Sequence, residues 1–258
     1  MNKRQRRFRA NNSGQLLIVA ALAIAILISS TTMYVYELGK ETNSQDCSSI
    51  NNFVLALKQS TRNTMISSLA NVSNGGEKNV LAANLNGLCQ VFRSINNLGI
   101  CQLAFTPLSD SNYDVGTWLS WNISDVGVSS AYANFTLEVY GMAMNVTLNY
   151  AVNVTSAIAI NGYCTKLGGD DEKLVYLTCN VYNEGKPALA KNMTFFYERL
   201  GSWLPVNSSN DLSVADYGNG TYHTSFTVST PLNALQVSAH IYDVRDIFVQ
   251  ADTTCYET

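Results

Sequence analysis

Residues 131–160 read AYANFTLEVYGMAMNVTLNYAVNVTSAIAI. Phe135, Leu137 and Val139 alternate with Asn134, Thr136 and Glu138. Further on, Val146, Leu148, Tyr150, Val152 and Val154 alternate with Asn145, Thr147, Asn149, Asn153 and Thr155. A period of two sends successive side chains to opposite faces of a strand, so this stretch reads as antiparallel sheet with one dry and one wet face. The same period begins upstream at Cys101, Leu103 and Phe105 and continues through Leu119, Trp121 and Ile123.

Downstream, residues 164–258 repeat the pattern in shorter units. Val175, Leu177, Cys179 and Val181 share one face, as do Met193, Phe195 and Tyr197. Tyr222, Thr224, Phe226 and Val228, then Leu235, Val237, Ala239 and Ile241, and finally Ile247, Val249 and Ala251 follow the same rule. Six or seven short strands in this length are the pattern of a β-sandwich. Tyr182-Asn183-Glu184-Gly185-Lys186-Pro187 and Tyr217-Gly218-Asn219-Gly220-Thr221-Tyr222 resemble the turn segments of immunoglobulin-like modules in archaeal and bacterial surface proteins. That resemblance implies a structural rather than a catalytic segment.

Upstream of the strands the period becomes helical. Leu81, Leu85, Leu88, Phe92 and Ile95 form one apolar stripe, with Cys89 on its edge. Ile50, Phe53, Val54, Leu57, Met65 and Leu69 form another, and Asn71-Val72-Ser73-Asn74-Gly75-Gly76 reads as a stop and turn between the two. Further upstream, Gly14 to Tyr36 contains no charged residue and Leu16 to Ile28 is wholly apolar. As a helix those 23 residues span about 34 Å, enough for a hydrocarbon core of ~30 Å. Lys3, Arg4, Arg6, Arg7 and Arg9 precede the segment, so the positive-inside rule predicts a cytoplasmic tail and an outward bulk. Basic residues, Ser13-Gly14-Gln15 and an unbroken apolar helix resemble the start of archaeal type IV pilin-like proteins. The resemblance implies prepilin-peptidase cleavage between Gly14 and Gln15.

Together these readings predict an α+β chain with an N-terminal transmembrane helix, a helical hairpin stalk, an antiparallel sheet and a C-terminal immunoglobulin-like β-sandwich. The expected partition is a basic tail 1–13, a membrane helix 14–36, a stalk 37–99, a β region 100–163 and a sandwich 164–258. The expected place is a cell membrane crossed once, with the bilayer as partner of residues 14–36.

Two features suit an extracellular bulk. Six cysteines, Cys47, Cys89, Cys101, Cys164, Cys179 and Cys255, all follow the apolar segment. Their even number and lack of CxxC spacing favour disulfides over zinc. Asn-x-Ser/Thr sequons begin at Asn71, Asn122, Asn134, Asn145, Asn153, Asn192, Asn207 and Asn219, candidates for glycosylation.

Chemistry is sparse. Net charge is −3, only 14% of residues are charged, and the one dense basic run is the first nine residues, which excludes a nucleic-acid binder. The two histidines, His223 and His240, lie in alternating strands opposite the apolar face and are expected to face solvent. Neither a Gly-x-Ser-x-Gly elbow nor a phosphate loop occurs. Asp110-Ser111-Asn112-Tyr113-Asp114-Val115-Gly116 places oxygens like a calcium loop, but its glycine comes late and position twelve is Trp121, so it reads as a polar turn. The expectation is a non-catalytic, cofactor-free surface glycoprotein with a structural or adhesive role, meeting a surface or filament protein. The rival readings are a pilin-like filament subunit and a secreted or anchored enzyme or solute-binding module.

Overall fold

The computed structural model describes residues 32–33, 51–94, 100–140, 145–168 and 171–258. The chain divides into two compact units, Met1–Ala56 and Leu57–Thr258. In the first, the described residues 32–33 and 51–56 are helical. The second unit holds every described strand.

That unit opens with helix α1, residues 57–73, and helix α2, Val80–Ser94. Leu57, Thr61, Met65, Leu69 and Val72 are buried along one side of α1, and Leu81, Leu85, Cys89 and Phe92 along α2. A helix with a single apolar stripe must lay it on something, and the sheet supplies that surface. Thr61 Oγ1 meets the Tyr150 hydroxyl at 3.4 Å, and Lys58 Nζ sits 5.3 Å from the centre of the Tyr150 ring. The Asn84 amide donates to Ser68 Oγ at 2.9 Å and ties the helices together.

Among the described residues twelve strands follow. They are β1 (Ile100–Pro107), β2 (Thr117–Ile123), β3 (Val126–Tyr140), β4 (Asn145–Lys166), β5 (Glu172–Asn183), β6 (Lys186–Pro187), β7 (Ala190–Arg199), β8 (Ser202–Pro205), β9 (Ser213–Asp216), β10 (Thr221–Ser229), β11 (Ala234–Asp243) and β12 (Phe248–Glu257). They join in one hydrogen-bonded sheet, whose main path is β8-β7-β11-β12-β4-β5-β10-β9. Strand β3 pairs with β1, β2 and β4, and β6 pairs with β5.

The 22-residue β4 makes this continuity possible. Residues 145–159 pair with β3, residues 156–166 pair with β5, and Tyr163 and Cys164 pair in parallel with β12. Where β3 begins, the tight turn at Ser124 and Asp125 wedges between β4 and β12: the Asp125 amide donates to Asp252 O and its carbonyl accepts from the Ile160 amide, both at 2.8 Å. Strands β4, β5, β7, β10, β11 and β12 close around one core containing Phe195, Tyr197, Phe226, Val237 and Ile241.

Two expectations are corrected by this arrangement. The fold is a single large, β-rich sheet carrying helices, rather than a helical hairpin stalk behind a transmembrane helix. The helices are packed because their stripes match the dry face of the sheet, and β4 carries strand pairing across the expected boundary at residue 163 without a break. The single-pass membrane placement is corrected as well: among the described residues no helix is long and apolar enough to cross a membrane. Helix α2, with 15 residues, spans about 22 Å, short of a ~30 Å hydrocarbon core, and both helices are amphipathic. The basic tail 1–13, Gly14, Gln15, Cys47 and all of 14–36 except Thr32 and Met33 lie outside the described residues.

At one end of the core, Lys173 is fully buried and donates to the Leu232 carbonyl and, at 2.7 Å, to Glu257 Oε2. Lys166 adds a second ion pair to Glu257 at 3.4 Å. The hydrogen bond from Lys173, helped by Lys166 and opposed by burial, holds the Glu257 carboxyl below the usual glutamate range. A carboxylate with a depressed folded pKa stabilises fully above its unfolded value, about 4.3, and loses that contribution as pH falls through the folded value. Glu257→Gln is therefore expected to lower the melting temperature at neutral pH, with the gap to wild type closing in acid. Thermal melts stepped from about pH 7 to about pH 3 check this. A gap independent of pH would contradict it.

Candidate binding face

The outward side chains of β4, β5, β10 and β9 fall into register across the sheet. Tyr163 lies opposite Tyr176, Tyr176 opposite Ser225, and Ser225 opposite Ser213. One step along, Asn161 lies opposite Thr178, Thr178 opposite His223, and His223 opposite Ala215. These rows exist because each strand keeps strict alternation: Val175, Leu177 and Cys179 on β5 and Thr224 and Phe226 on β10 point into the core, leaving their neighbours outside.

The rows line a groove of about 590 Å³. Tyr163 and Tyr176 stack with ring centres 5.1 Å apart and a 26° tilt, yet remain 46% and 37% exposed. Tyr256 on β12, 65% exposed, is the register partner of Tyr163 on the other side. Three tyrosines thus cross three neighbouring strands, a row about 10 Å long at the usual strand spacing. At the far end Tyr217 meets His223 edge-to-face at 4.8 Å, its hydroxyl 3.3 Å from Nδ1. No Asp, Glu, Lys or Arg lines the groove.

Gly162, between the outward Asn161 and Tyr163, faces the core and lets the strands pack closely beneath the rows. A Cβ there would stand 2.5 Å from a Leu177 methyl, 2.6 Å from the Tyr176 carbonyl oxygen and 2.8 Å from Cys255 Sγ, so the position admits no side chain without displacing backbone. The residues of this face are ordinary outward strand positions in the sequence. The one signal that could have found it is that tyrosines, at 163 and 176, occupy wet-face positions where Asn, Ser and Thr stand elsewhere.

Other candidate residues fall in varied places. His223 is exposed as expected, whereas His240 is half-buried between Phe196 and Phe248, with ring centres at 4.5 and 5.4 Å. Burial lowers the His240 pKa, against a smaller opposing pull from Asp252. The two imidazoles stand on β10 and β11, which are not neighbours in the sheet. In the Asp110 segment, Asp110 Oδ1 accepts from the Asn112 and Tyr113 amides at 2.8 and 2.9 Å, and Asp114 pairs with Lys78 at 2.7 Å. The Asp110 carboxylate therefore serves the turn itself, and that of Asp114 ties the turn to the segment that precedes α2. Among the described residues no group of three His, Cys, Asp or Glu could hold a metal ion.

The five described cysteines are buried free thiols. Cys164, Cys179 and Cys255 belong to the one core, and burial pushes the thiols of Cys179 and Cys255 up to about 12. Cys89 and Cys101 lie outside that cluster, on α2 and β1. Of the sequon asparagines, Asn71, Asn134, Asn145, Asn153, Asn192, Asn207 and Asn219 are exposed, and Asn122 falls in β2. Asn207 accepts from the Ser209 amide at 2.9 Å and hydroxyl at 2.6 Å, and Asn219 from the Thr221 amide at 3.1 Å. The Asn71 sequon differs: its Ser73 is buried and accepts the Phe248 amide at 3.0 Å. No sequon asparagine lines the groove. No known protein family, curated protein or solved structure matches this chain.

Proposed function

We propose that this protein is a non-catalytic recognition protein with an adhesive or structural role, and that its contact surface is the outer face of β4, β5, β9 and β10. The observation that carries the reading is the uncharged groove walled by exposed, stacked tyrosines. Tyrosine gives large contact area at low entropic cost, and Ser, Thr and Asn add adaptable hydrogen bonds; evolved binding surfaces use this same mixture. The separation of His223 from His240 supports a binding role over general acid–base chemistry. Sugars on the exposed sequon asparagines belong to the same reading, since they would leave the groove clear.

Attachment of beads coated with the full chain to intact cells of the organism that makes it tests the proposal. The expected result is saturable attachment that falls at least about tenfold when Tyr163 and Tyr176 are both changed to alanine, with an unchanged melting temperature. Attachment unaffected by that double change, or no attachment by the wild type, would overturn the proposal.

A further inference from the structure

We infer that the groove takes a neutral oligosaccharide chain. The inference rests on the reading of this face as a contact surface and adds the chemistry of what it contacts.

Charge comes first. A site for a phosphate, a carboxylate or a cation places an opposite charge against it, and none lines this groove. Shape and polarity come next. The groove is open and shares its lining between tyrosine rings and hydroxyl, amide and imidazole groups, unlike the enclosed, mainly apolar pockets that suit apolar small molecules. The ligand must therefore be uncharged, polar and extended.

Hydrogen-bonding capacity narrows it further. Asn161, Thr178, Ser213 and Ser225 can each both donate and accept, as can the hydroxyls of a sugar. The tyrosine rings supply the other half of the match. A pyranose has a face of C–H groups carrying partial positive charge, which the electron-rich face of an aromatic ring attracts. Tyr163 and Tyr176 stack on each other across neighbouring strands, which leaves their outer faces and edges to the groove, room for about one sugar ring, while Tyr256 beyond them lines a separate pocket with Asp125 and Asp252. Protein partners fit less well, because protein contact surfaces are enriched in Arg and Met beside their aromatic residues and neither lines this face.

Titrating the full chain with chitohexaose, maltohexaose and mannohexaose, followed by tyrosine fluorescence and calorimetry, tests the inference. At least one is expected to bind saturably at millimolar concentration or below, insensitive to ionic strength as an uncharged ligand must be. Changing both Tyr163 and Tyr176 to alanine is expected to weaken binding about tenfold or more. Tyr140→Ala, an exposed tyrosine outside the groove, is expected to leave it unchanged. Failure of all three sugars, or tighter salt-sensitive binding of a galacturonic acid hexasaccharide, would overturn the inference. If the sugars fail while cell attachment still depends on Tyr163 and Tyr176, the ligand class is wrong and the contact face stands. If attachment fails too, both fall.

Discussion

Asp243→Ala is expected to destabilise the protein by about 3–5 kcal/mol, the usual cost of removing one partner from a buried ion pair. Asp243 is fully buried at the turn between β11 and β12. Its Oδ1 accepts from the Arg245 and Ile247 amides at 2.8 and 3.0 Å, and its Oδ2 from Arg245 Nε at 2.8 Å. Held this way, Arg245 reaches Glu184 Oε1 at 2.6 Å and the Thr155 carbonyl at 3.0 Å, and Glu184 in turn meets Arg62 of α1 at 3.1 Å. One carboxylate thereby orders a turn and links it to β4, to the end of β5 and to a helix. Alanine leaves two amides unpaired and a nearly buried guanidinium short of its main partner. Asp243→Asn keeps an acceptor without the charge and is expected to lose less. Urea unfolding gives both values, and a loss below about 1 kcal/mol for alanine would show that the network contributes little.

Glu184 gives the same network a pH dependence. Burial raises its pKa, but the hydrogen bond from Arg245, the Thr155 amide and the charge of Arg62 together outweigh that and lower it. Its contribution is complete above the ordinary glutamate value and disappears as pH falls through the lowered one.

Gly127→Ala is the second large effect. Strand β3 passes so close to β12 that a Cβ at position 127 would lie 1.8 Å from the Gln250 carbonyl oxygen and 2.6 Å from its carbon. Neither backbone atom can rotate away, so β3 and β12 must part. The expected loss is at or above the top of the about 1–3 kcal/mol range for overpacking. The same separation would pull the Asp125 turn from between β4 and β12, so hydrogen exchange at the Asp125 and Ile160 amides should rise in the variant. Gly87→Ala, at a helical position with nothing within 4 Å of the new methyl, is the control and should not destabilise. A melting temperature for Gly127→Ala equal to wild type would refute the close approach.

How far the sequence could be read depends on the range of the interaction. Face assignments needed only neighbours two residues apart: Phe135, Leu137 and Val139 are buried while Asn134 is exposed, and the runs starting at Val175, Tyr222 and Leu235 are buried at alternate positions. The turn between α1 and α2 was legible for the same reason, from Asn74, Gly75 and Gly76. His240 shows where that logic stops. Its parity points outward, but Phe196 and Phe248 from the two neighbouring strands close over it. The groove was unreadable on the same grounds, since its tyrosines, amides and hydroxyls come from four strands between residues 161 and 225.

By itself, then, the sequence determined the period of each segment, which face of each strand is dry, where turns interrupt, and how little charge the protein carries. Those properties follow from local geometry and composition. Only the tertiary structure decided that β4 runs from one part of the sheet into the other, that β12 joins it in parallel, and that Tyr163, Tyr176 and Tyr256 stand in one row. Strand order and register are set by the joint packing of distant residues around a shared core, and no local pattern encodes that.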